Sequence, residues 1–378
     1  MKKIRVLQIV PGLRGGIGSI LINFCSRLDR DKYQIDFGVH DDSHRERREF
    51  IDNTMGKVYA LPRMSKDYRE YKKFLSHLIE KNNYDIVHAH QNHMSFIPLK
   101  IAKRLGVPGR IMHSHATAFE GGSAIKNQVA KTINRFMMNT IANAKLACGN
   151  KAGEFIYGKR AMQKGEVVVL PNAIDIEKFR FDRSKREKMR SAFGLGVNEK
   201  VVLFVGRLVE IKNIPLCLEI IKRCENNVKL VICGSGYKEQ SLKDKCARDG
   251  IASKVLFVGE REDVAAMYSM ADVFLLTSFA EGFPMTVVEA LSSGLPCFIS
   301  DTITDEFRDF EAVKYCPLHD VDNWVETIKE CPLGMRYDMV KILNKKKLNI
   351  ETAVNMLSQI YDEAAKGMNI TAKYMESK

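Results

Sequence analysis

The sequence predicts an α/β protein with two doubly wound parallel-sheet domains that face a cleft. Three observations predict this fold. Short apolar runs alternate with helical patterns, the alternation stops and restarts once, and 378 residues with 45% hydrophobic content are enough for two cores. Strands of a parallel sheet read as continuous apolar runs because helices cover both faces.

The first series of apolar runs predicts an N-terminal domain over residues 1–175. Its predicted helices alternate with strands, as in a parallel sheet. The predicted strands are 4–10, 35–39, 58–60, 85–89, 110–113, 145–148 and 167–170. The clearest helical patterns are 19–28, 68–81, 95–105 and 123–143.

A break in this pattern places the domain boundary at 171–180, where turn-forming residues precede a dense run of charges. A second series then predicts a C-terminal domain over residues 176–378. Its predicted strands are 201–205, 229–233, 255–258, 272–277 and 296–299, and residues 322–368 have helical patterns.

Composition excludes several classes of protein. No apolar stretch approaches the roughly 20 residues that span a bilayer. Residues 1–10 resemble a signal peptide, but the apolar run is short and leads into glycines, so it predicts a first strand. The nine cysteines are scattered without a Cys-x-x-Cys pair, which argues against a disulfide framework or a zinc site. We predict a cytoplasmic protein.

Positive charge is concentrated in the first half of the chain. Residues 1–180 hold 31 basic and 17 acidic residues, and the remainder holds 28 and 29. A basic face attracts nucleic acid or anionic lipid, although a lysine-rich surface can also serve solubility alone. The helical pattern at 123–143 has an apolar stripe beside lysines, and either packing on the sheet or docking on an anionic membrane would explain it.

The segment 278–294 is the most informative part of the chain. It follows a predicted strand, places Glu281 in a loop, and has Pro284 where a helix should begin and Gly294 where it should end. Glu289 lies inside that helix. Free N–H groups at a helix start attract phosphate, so the segment suits a phosphorylated, hydroxyl-rich ligand such as a nucleotide sugar.

Cations and glycines follow other strands of the same predicted sheet. Arg207 ends the first strand, Lys212 comes five residues later, and Gly234 ends the next strand. Ligands bind at the carboxyl edge of parallel sheets, where both cations would reach a diphosphate.

Glycines also follow the first strand of the chain. Gly15 and Gly16, in Gly15-Gly16-Ile17-Gly18, either present backbone N–H groups to an anion or form a plain tight turn.

Histidines cluster near two strand ends of the first domain. His113 and His115 close one strand, and spacing alone leaves open which of them faces the cleft to contact a sugar. His88, His90 and His93 follow another strand. They have no carboxylate or cysteine at ligand spacing, so we predict no metal site there.

These residues resemble a known family, the retaining glycosyltransferases of the GT-B fold, and specifically the large family 4. The resemblance covers nearly the whole chain. Its most specific part is the pair Glu281 and Glu289, separated by seven residues. Supporting positions are Gly206-Arg207 with Lys212, Asp272, residues 170–172 and Gly15-Gly16-Ile17.

The resemblance implies roles for individual residues. Glu281 would contact the transferred sugar, and His115 would touch the sugar or acceptor as a catalytic residue, with His113 as the alternative. Arg207 and Lys212 would neutralise the donor diphosphate. The predicted donor-binding residues, taken from the resemblance or, for Gly234 and Pro284, from their place at a strand end and a helix start, are Gly15, Gly16, Arg207, Lys212, Gly234, Gly282, Phe283, Pro284 and Glu289, the last on the ribose.

The resemblance also implies the partners. The donor would be a nucleotide sugar, with UDP expected, and the acceptor a glycan or lipid-linked hydroxyl in capsule, exopolysaccharide or O-antigen synthesis. No cofactor or metal would be needed. This agrees with the Asp-x-Asp triplets at 29–31 and 320–322, which adjoin predicted helix ends and are interpreted as structural. Residues 350–365 would cross back to the first domain, whose basic surface would contact the inner face of the membrane.

Two other functions remain to be distinguished. A nucleotide-sugar epimerase on a similar scaffold would form product from the donor alone. A nucleic-acid or anionic-surface binding protein would fit the pI of about 9.2, but the chain has no stacking-platform signature, and we predict no nucleic-acid partner.

Overall fold

The structure, a computed structural model, describes residues 2–13, 15–41, 45–64, 66–115 and 140–376. The chain forms two compact units. The first contains Met1–Asn172 and Ile350–Lys378, and the second contains Ala173–Asn349. The chain passes from one to the other within the stretch 171–180, where the sequence changes character.

The first unit is built on a parallel sheet whose strands carry continuous apolar runs. Its strands are β1 (Ile4–Gly12), β2 (Tyr33–Asp41), β3 (Val58–Ala60), β4 (Ile86–Ala89), β5 (Gly109–Ser114), β6 (Ala144–Ala147) and β7 (Val168–Val169). They are hydrogen-bonded in the order β3-β2-β1-β4-β5-β6-β7. Its helices, numbered along the whole chain, are α1 (Gly15–Cys25), α2 (Arg45–Thr54), α3 (Tyr68–Asn82), α4 (Phe96–Arg104), α5 (Asn150–Tyr157), α6 (Lys159–Gln163), α14 (Ile350–Ala364) and α15 (Ala372–Glu376), with a 3₁₀ helix at Asn92–Ser95.

The second unit has a six-stranded parallel sheet. Its strands are β8 (Lys200–Val205), β9 (Val228–Cys233), β10 (Val255–Gly259), β11 (Val273–Leu276), β12 (Cys297–Ser300) and β13 (Val313–Cys316). Their order is β10-β9-β8-β11-β12-β13. The helices are α7 (Arg183–Ala192), α8 (Ile214–Arg223), α9 (Glu239–Arg248), α10 (Val264–Met270), α11 (Met285–Ser292), α12 (Val321–Glu330) and α13 (Val340–Lys345), with 3₁₀ helices at Glu210–Lys212 and Ala252–Lys254.

The predicted fold class is confirmed, because both units are Rossmann-like parallel sheets. One local prediction, the glycine loop, needs correction. A second, the helix at 123–143, falls mostly on residues that the structure does not describe. The glycine segment expected as a loop after β1 forms the first turn of α1, which begins at Gly15. There a Cβ on Gly18 would lie 2.3 Å from the Leu13 carbonyl oxygen, so glycine lets the incoming chain lie against the helix.

The two Asp-x-Asp triplets have the structural roles predicted for them. A carboxylate oxygen of Asp29 accepts a hydrogen bond from the Asp31 N–H at 2.8 Å, which closes a turn. Asp320 is the N-cap of α12 and accepts from the Asn323 N–H at 3.0 Å. Each aspartate therefore satisfies backbone donors at a turn or helix end.

The end of the chain completes the first unit, to which residues 350–378 belong. Helix α14 carries Tyr361, whose hydroxyl accepts from Gln8 Nε2 at 2.6 Å in the middle of β1. At the start of β2, the Tyr33 hydroxyl bonds Asp362 at 2.7 Å, and Lys32 pairs with the same carboxylate at 2.6 Å. The sequence-based domain 176–378 thus contains a final segment that packs on β1 and β2 of the first unit.

A buried carboxylate ties together several elements of the second unit. Asp272, which precedes β11, is fully buried and pairs with Arg186 at 2.6 Å and Arg190 at 3.2 Å, both on α7. It also accepts from the backbone N–H groups of Val201 at 2.8 Å and Gly334 at 3.2 Å. Asp272, one of the positions that support the family resemblance, therefore has a structural role.

Candidate active site

The segment after β11 has the helix boundaries that its sequence predicts. Pro284 is the N-cap (φ −74°, ψ 106°), α11 begins one residue later at Met285, and Gly294 follows the helix with φ +72°. A Cβ on Gly294 would lie 2.5 Å from the Tyr337 carbonyl oxygen, so this position requires glycine. The first N–H groups of α11 have no acceptor within the helix, which makes its start favourable for an anion.

Two of the predicted site residues contact each other directly. Lys212 Nζ lies 2.5 Å from Glu281 Oε1, and each side chain is 15% exposed. The Ser278 hydroxyl donates to the same carboxylate oxygen at 2.7 Å. The loop that carries Glu281 is fixed to the Lys212 segment because the Phe279 N–H bonds the Ile211 carbonyl at 2.9 Å. An acid and a cation 69 residues apart in sequence thus form one mostly buried pair.

A second cation lies near this pair, at the end of β8. Lys212 runs alongside Gly206, because a Cβ on Gly206 would lie 3.7 Å from Lys212 Cε. The next residue, Arg207, is exposed. Among the described residues, no ion pair or side-chain hydrogen bond involves its guanidinium. Arg207 therefore offers its donors to solvent or to a ligand.

Gly234 has a packing role that does not depend on a ligand. It directly follows β9 and has φ +140°, and a Cβ there would lie 2.0 Å from the Gly206 carbonyl oxygen. The two strand-end backbones therefore pack together only without a side chain. This contact positions the β8 end that leads into Arg207.

We expect Gly234→Ala to destabilise the second unit by more than Gly250→Ala. Both residues have positive φ, but a Cβ on Gly250 (φ +70°) meets nothing within 4 Å. The control variant Gly250→Ala should lower the free energy of unfolding only by the conformational penalty of about 1–2 kcal/mol. Gly234→Ala should lower it further, because its Cβ also clashes with the backbone. Urea unfolding of both variants measures the difference, and equal losses would contradict this account.

The two residues after Glu281 present their backbone rather than their side chains. Gly282 has no side chain, and the Phe283 ring packs on Phe307 with centroids 5.2 Å apart. The predicted contact of Gly282 and Phe283 with a ligand would therefore involve their N–H groups.

Glu289 is held by a tyrosine from the neighbouring helix. Tyr268 on α10 donates its hydroxyl hydrogen to Glu289 Oε2 at 2.6 Å. Burial raises the pKa of Glu289 to about 7, although the Tyr268 hydrogen bond and Lys178 favour the ionised form. The carboxyl is therefore partly protonated near neutral pH.

Four histidines of the first unit, His88, His90, His113 and His115, form a group at the ends of β4 and β5, with ring centroids of neighbouring pairs 4.1–5.5 Å apart. His115 Nε2 lies 2.9 Å from His90 Nδ1, and His90 Nε2 lies 2.8 Å from Gln8 Oε1. Burial lowers the pKa of His115 to about 4, so its imidazole is neutral at pH 7. His113 is 3% exposed whereas His115 is partly exposed. Of the two histidines that the sequence left open, His115 is the one that reaches the surface.

Two family models match the chain. The model described as Glycosyl transferases group 1 matches residues 185–330, and the model described as Glycosyltransferase Family 4 matches residues 14–178. The putative glycosyltransferase EpsF of Bacillus subtilis (strain 168) is 30% identical over 308 residues, which cover 80% of each chain. The chain belongs to the family 4-type glycosyltransferases.

Two further proteins match over nearly their whole length. The UDP-Gal:alpha-D-GlcNAc-diphosphoundecaprenol alpha-1,3-galactosyltransferase of Escherichia coli is 26% identical over 391 residues, covering 98% of this chain and 94% of that one. HepE of Anabaena, solved in complex with UDP, has a TM-score of 0.72 and 17% identity, with 100% and 98% of the two chains covered. This likeness agrees with the GT-B fold implied by the sequence.

None of the helices in the described parts of this glycosyltransferase has both the length and the apolar content required to cross a lipid bilayer.

The sequence did not point to the residues that hold the predicted site residues of this glycosyltransferase. Ser278 bonds Glu281, Tyr268 bonds Glu289, and Gln8 bonds His90. For Gln8 a signal existed, because a polar amide in the middle of the apolar run 4–10 is buried and must be hydrogen-bonded. For Tyr268 and Ser278 the sequence carries no such signal.

Proposed function

We propose that this glycosyltransferase moves a sugar from a UDP-sugar to a hydroxyl of a glycan or lipid-linked acceptor, with retention of anomeric configuration. The observation that carries the proposal is the mostly buried Lys212–Glu281 pair near the exposed Arg207. This arrangement places an acid that would bind the sugar, after β11, near cations that would bind phosphate, after β8.

The cations act on the leaving diphosphate. Lys212 has three N–H donors, one of which faces Glu281, so two remain for phosphate oxygens. Arg207 adds a guanidinium that can bind phosphate in a bidentate manner. As the bond between the anomeric carbon and the phosphate oxygen breaks, negative charge grows on the diphosphate, and fixed positive charge there lowers the barrier.

Glu281 and Glu289 bind the hydroxyl groups of the donor. Glu281, with the N–H groups of Gly282 and Phe283, holds the transferred sugar. Glu289 binds the ribose with the oxygen that Tyr268 leaves free. Gly15 and Gly16, in the first turn of α1, supply N–H groups to the diphosphate, and Pro284 fixes the start of α11.

Donor affinity should depend on pH through Glu289. Its pKa of about 7 in the free enzyme means that acid holds it protonated, whereas ribose hydroxyls donate to the ionised form. Nucleotide binding then releases a proton, so affinity should fall as pH falls, by about tenfold between pH 8 and pH 6. Calorimetric titration with UDP measures the dependence. Glu289→Gln serves as the control for phosphate titration, and an equal pH dependence in that variant would contradict the assignment.

The acceptor is assigned to the first unit. We propose that His115, neutral and partly exposed, hydrogen-bonds the transferred sugar or the acceptor. The acceptor oxygen bonds to the anomeric carbon on the face from which the diphosphate leaves, and the acceptor proton passes to the leaving phosphate oxygen. This front-side path retains configuration and needs no metal at the diphosphate, where the two cations serve instead.

Known relatives support the proposed partners. The Escherichia coli relative is named for UDP-Gal and a diphosphoundecaprenol-linked acceptor, and HepE was solved with UDP. The basic excess of residues 1–180 favours contact with an anionic membrane where a lipid-linked acceptor lies. A cytoplasmic site of action at the inner membrane face follows from this proposal, in capsule, exopolysaccharide or O-antigen synthesis.

A donor screen tests the proposal. Released nucleoside diphosphate is measured with each nucleotide sugar, with and without membrane-extracted lipid acceptor, and with and without added Mg²⁺. We expect acceptor-dependent release of UDP that added Mg²⁺ leaves unchanged. Product formed from the donor alone would indicate an epimerase, and dependence on added Mg²⁺ would overturn the metal-independent mechanism.

A further inference from the structure

The group of buried histidines in the first unit has the composition of a metal site. Ligand nitrogens of His88, His90 and His113 all lie within 4.8 Å of one another. The three residues are 1%, 0% and 3% exposed. We call them the histidine cluster. The sequence had grouped His93 with His88 and His90, but the structure brings in His113 instead.

Strand register brings the cluster together. β4 and β5 are parallel neighbours in which His88 lies opposite Ile111. Two residues further along each strand, His90 therefore lies beside His113. Because alternate residues of a strand point to the same face, all three imidazoles project from one side of the sheet.

Several nitrogens of the cluster lack a hydrogen-bond partner. Within the part of the chain that the structure describes, neither His88 Nε2 nor either ring nitrogen of His113 has one. Leaving a buried polar atom unsatisfied is costly, and such atoms are rare in native proteins. Because one ligand nitrogen from each of the three histidines lies within 4.8 Å of the others, a single shared ligand could satisfy them.

The opposite ring nitrogens are held as they are in metal sites. His88 Nδ1 lies 2.9 Å from the Tyr361 hydroxyl, and His90 Nε2 lies 2.8 Å from Gln8 Oε1. Gln8 and Tyr361 also bond each other at 2.6 Å. A metal-binding histidine typically donates its second N–H to such an oxygen, which fixes the tautomer and leaves the other nitrogen for the ion. Here that arrangement directs His88 Nε2 and His90 Nδ1 into the cluster.

We propose that the histidine cluster binds one divalent transition-metal ion, Zn²⁺ in the first instance, through His88 Nε2, His90 Nδ1 and one nitrogen of His113. Three imidazoles without a carboxylate suit zinc and its neighbours rather than Mg²⁺ or Ca²⁺. Zn–N bonds of about 2.0–2.1 Å in a tetrahedron place nitrogens about 3.4 Å apart. The rings must therefore close by up to roughly 1.4 Å from the 4.8 Å limit.

The fourth position of the ion falls to water, because the proposed function assigns His115 to the sugar or the acceptor. His115 Nε2 lies 2.9 Å from His90 Nδ1, so an ion bound to His90 Nδ1 replaces this hydrogen bond. All three proposed ligands belong to the first unit, and the inference does not rest on the proposed transferase reaction.

Metal content and ligand type test the proposal without any activity measurement. The full-length protein is treated with chelator, reloaded with Zn²⁺ or Co²⁺, and passed through a desalting column. We expect one ion per chain, a raised unfolding temperature, and an X-ray absorption spectrum with an imidazole nitrogen shell at about 2.0 Å and no sulfur. Less than stoichiometric binding, or a sulfur shell, would overturn the proposal.

Variants locate the site. His88→Asn and His113→Asn should weaken binding by more than the roughly 10–100-fold expected for Tyr361→Phe. The matched controls His77→Asn and His319→Asn replace exposed histidines outside the cluster and should bind as the parent does. Metal binding that is unchanged in His88→Asn, or that is lost in a control variant, would contradict the assignment. Should a cluster variant fail to fold, the absorption spectrum of the parent protein decides alone.

Discussion

Lys212→Ala is expected to lower kcat by about 10²–10³-fold, because it removes a cation from the position where the leaving diphosphate gains charge. Glu281→Ala should cost a similar factor through the lost contact to the transferred sugar. The two side chains touch at 2.5 Å, and groups that act as a unit are non-additive. The double variant should therefore be little worse than either single variant. Steady-state rates with the donor identified by the screen measure all three.

The matched control for this pair is Lys243 with Glu239 on α9, which lie 2.7 Å apart with exposed fractions of 45% and 32%. Lys243→Ala and Glu239→Ala should leave kcat close to that of the parent. Circular dichroism establishes that each variant is folded. Near-parental turnover in both Lys212→Ala and Glu281→Ala would remove the basis of the proposed donor site.

Asp272→Asn is expected to destabilise the second unit by about 3–5 kcal/mol. The substitution removes the charge that Arg186 and Arg190 face at 2.6 and 3.2 Å. Deleting one partner of a buried ion pair leaves the others uncompensated, which is far more costly than losing a surface pair. Urea unfolding followed by tryptophan fluorescence measures the loss. Trp324, the single tryptophan of the chain, is fully buried in α12 and so reports on this unit.

Glu187→Gln on α7 is the control, because it also removes one negative charge, but from an exposed ion pair. Glu187 is 66% exposed and its partner Arg183 is 85% exposed. Surface pairs contribute about 0–1 kcal/mol, so this variant should unfold almost as the parent does. A loss below 1 kcal/mol for Asp272→Asn would show that the buried network contributes little to stability.

The strands could be predicted from the sequence wherever both faces of the sheet are covered. All apolar runs proposed as strands correspond to strands of the two sheets. The strand β13 was missed because it lies at a sheet edge, where Lys314 is exposed and interrupts the apolar run. The start of α1 was placed too late because glycines usually indicate a loop, whereas here Gly18 allows close packing against Leu13.

The candidate site was only partly predictable. The sequence placed Lys212 and Glu281 at one sheet edge because the carboxyl ends of parallel strands meet there, but their direct contact depends on loop conformation. The histidine cluster depends on the register of β4 and β5, which apolar patterns do not encode. Tyr361, which bonds His88, lies 273 residues away along the chain, and no local pattern predicts such a contact.

The return of α14 to the first unit has a consequence for biosynthesis. Gln8 and Tyr361 are 353 residues apart, and ribosomes add about 5–20 residues per second. About 20–70 s therefore pass between the synthesis of Gln8 and the synthesis of Tyr361. The whole second unit is synthesised during this interval. The unit that leaves the ribosome first is the last to be completed, and nascent chains must keep the exposed face of β1 and β4 from aggregating until residue 361 has emerged.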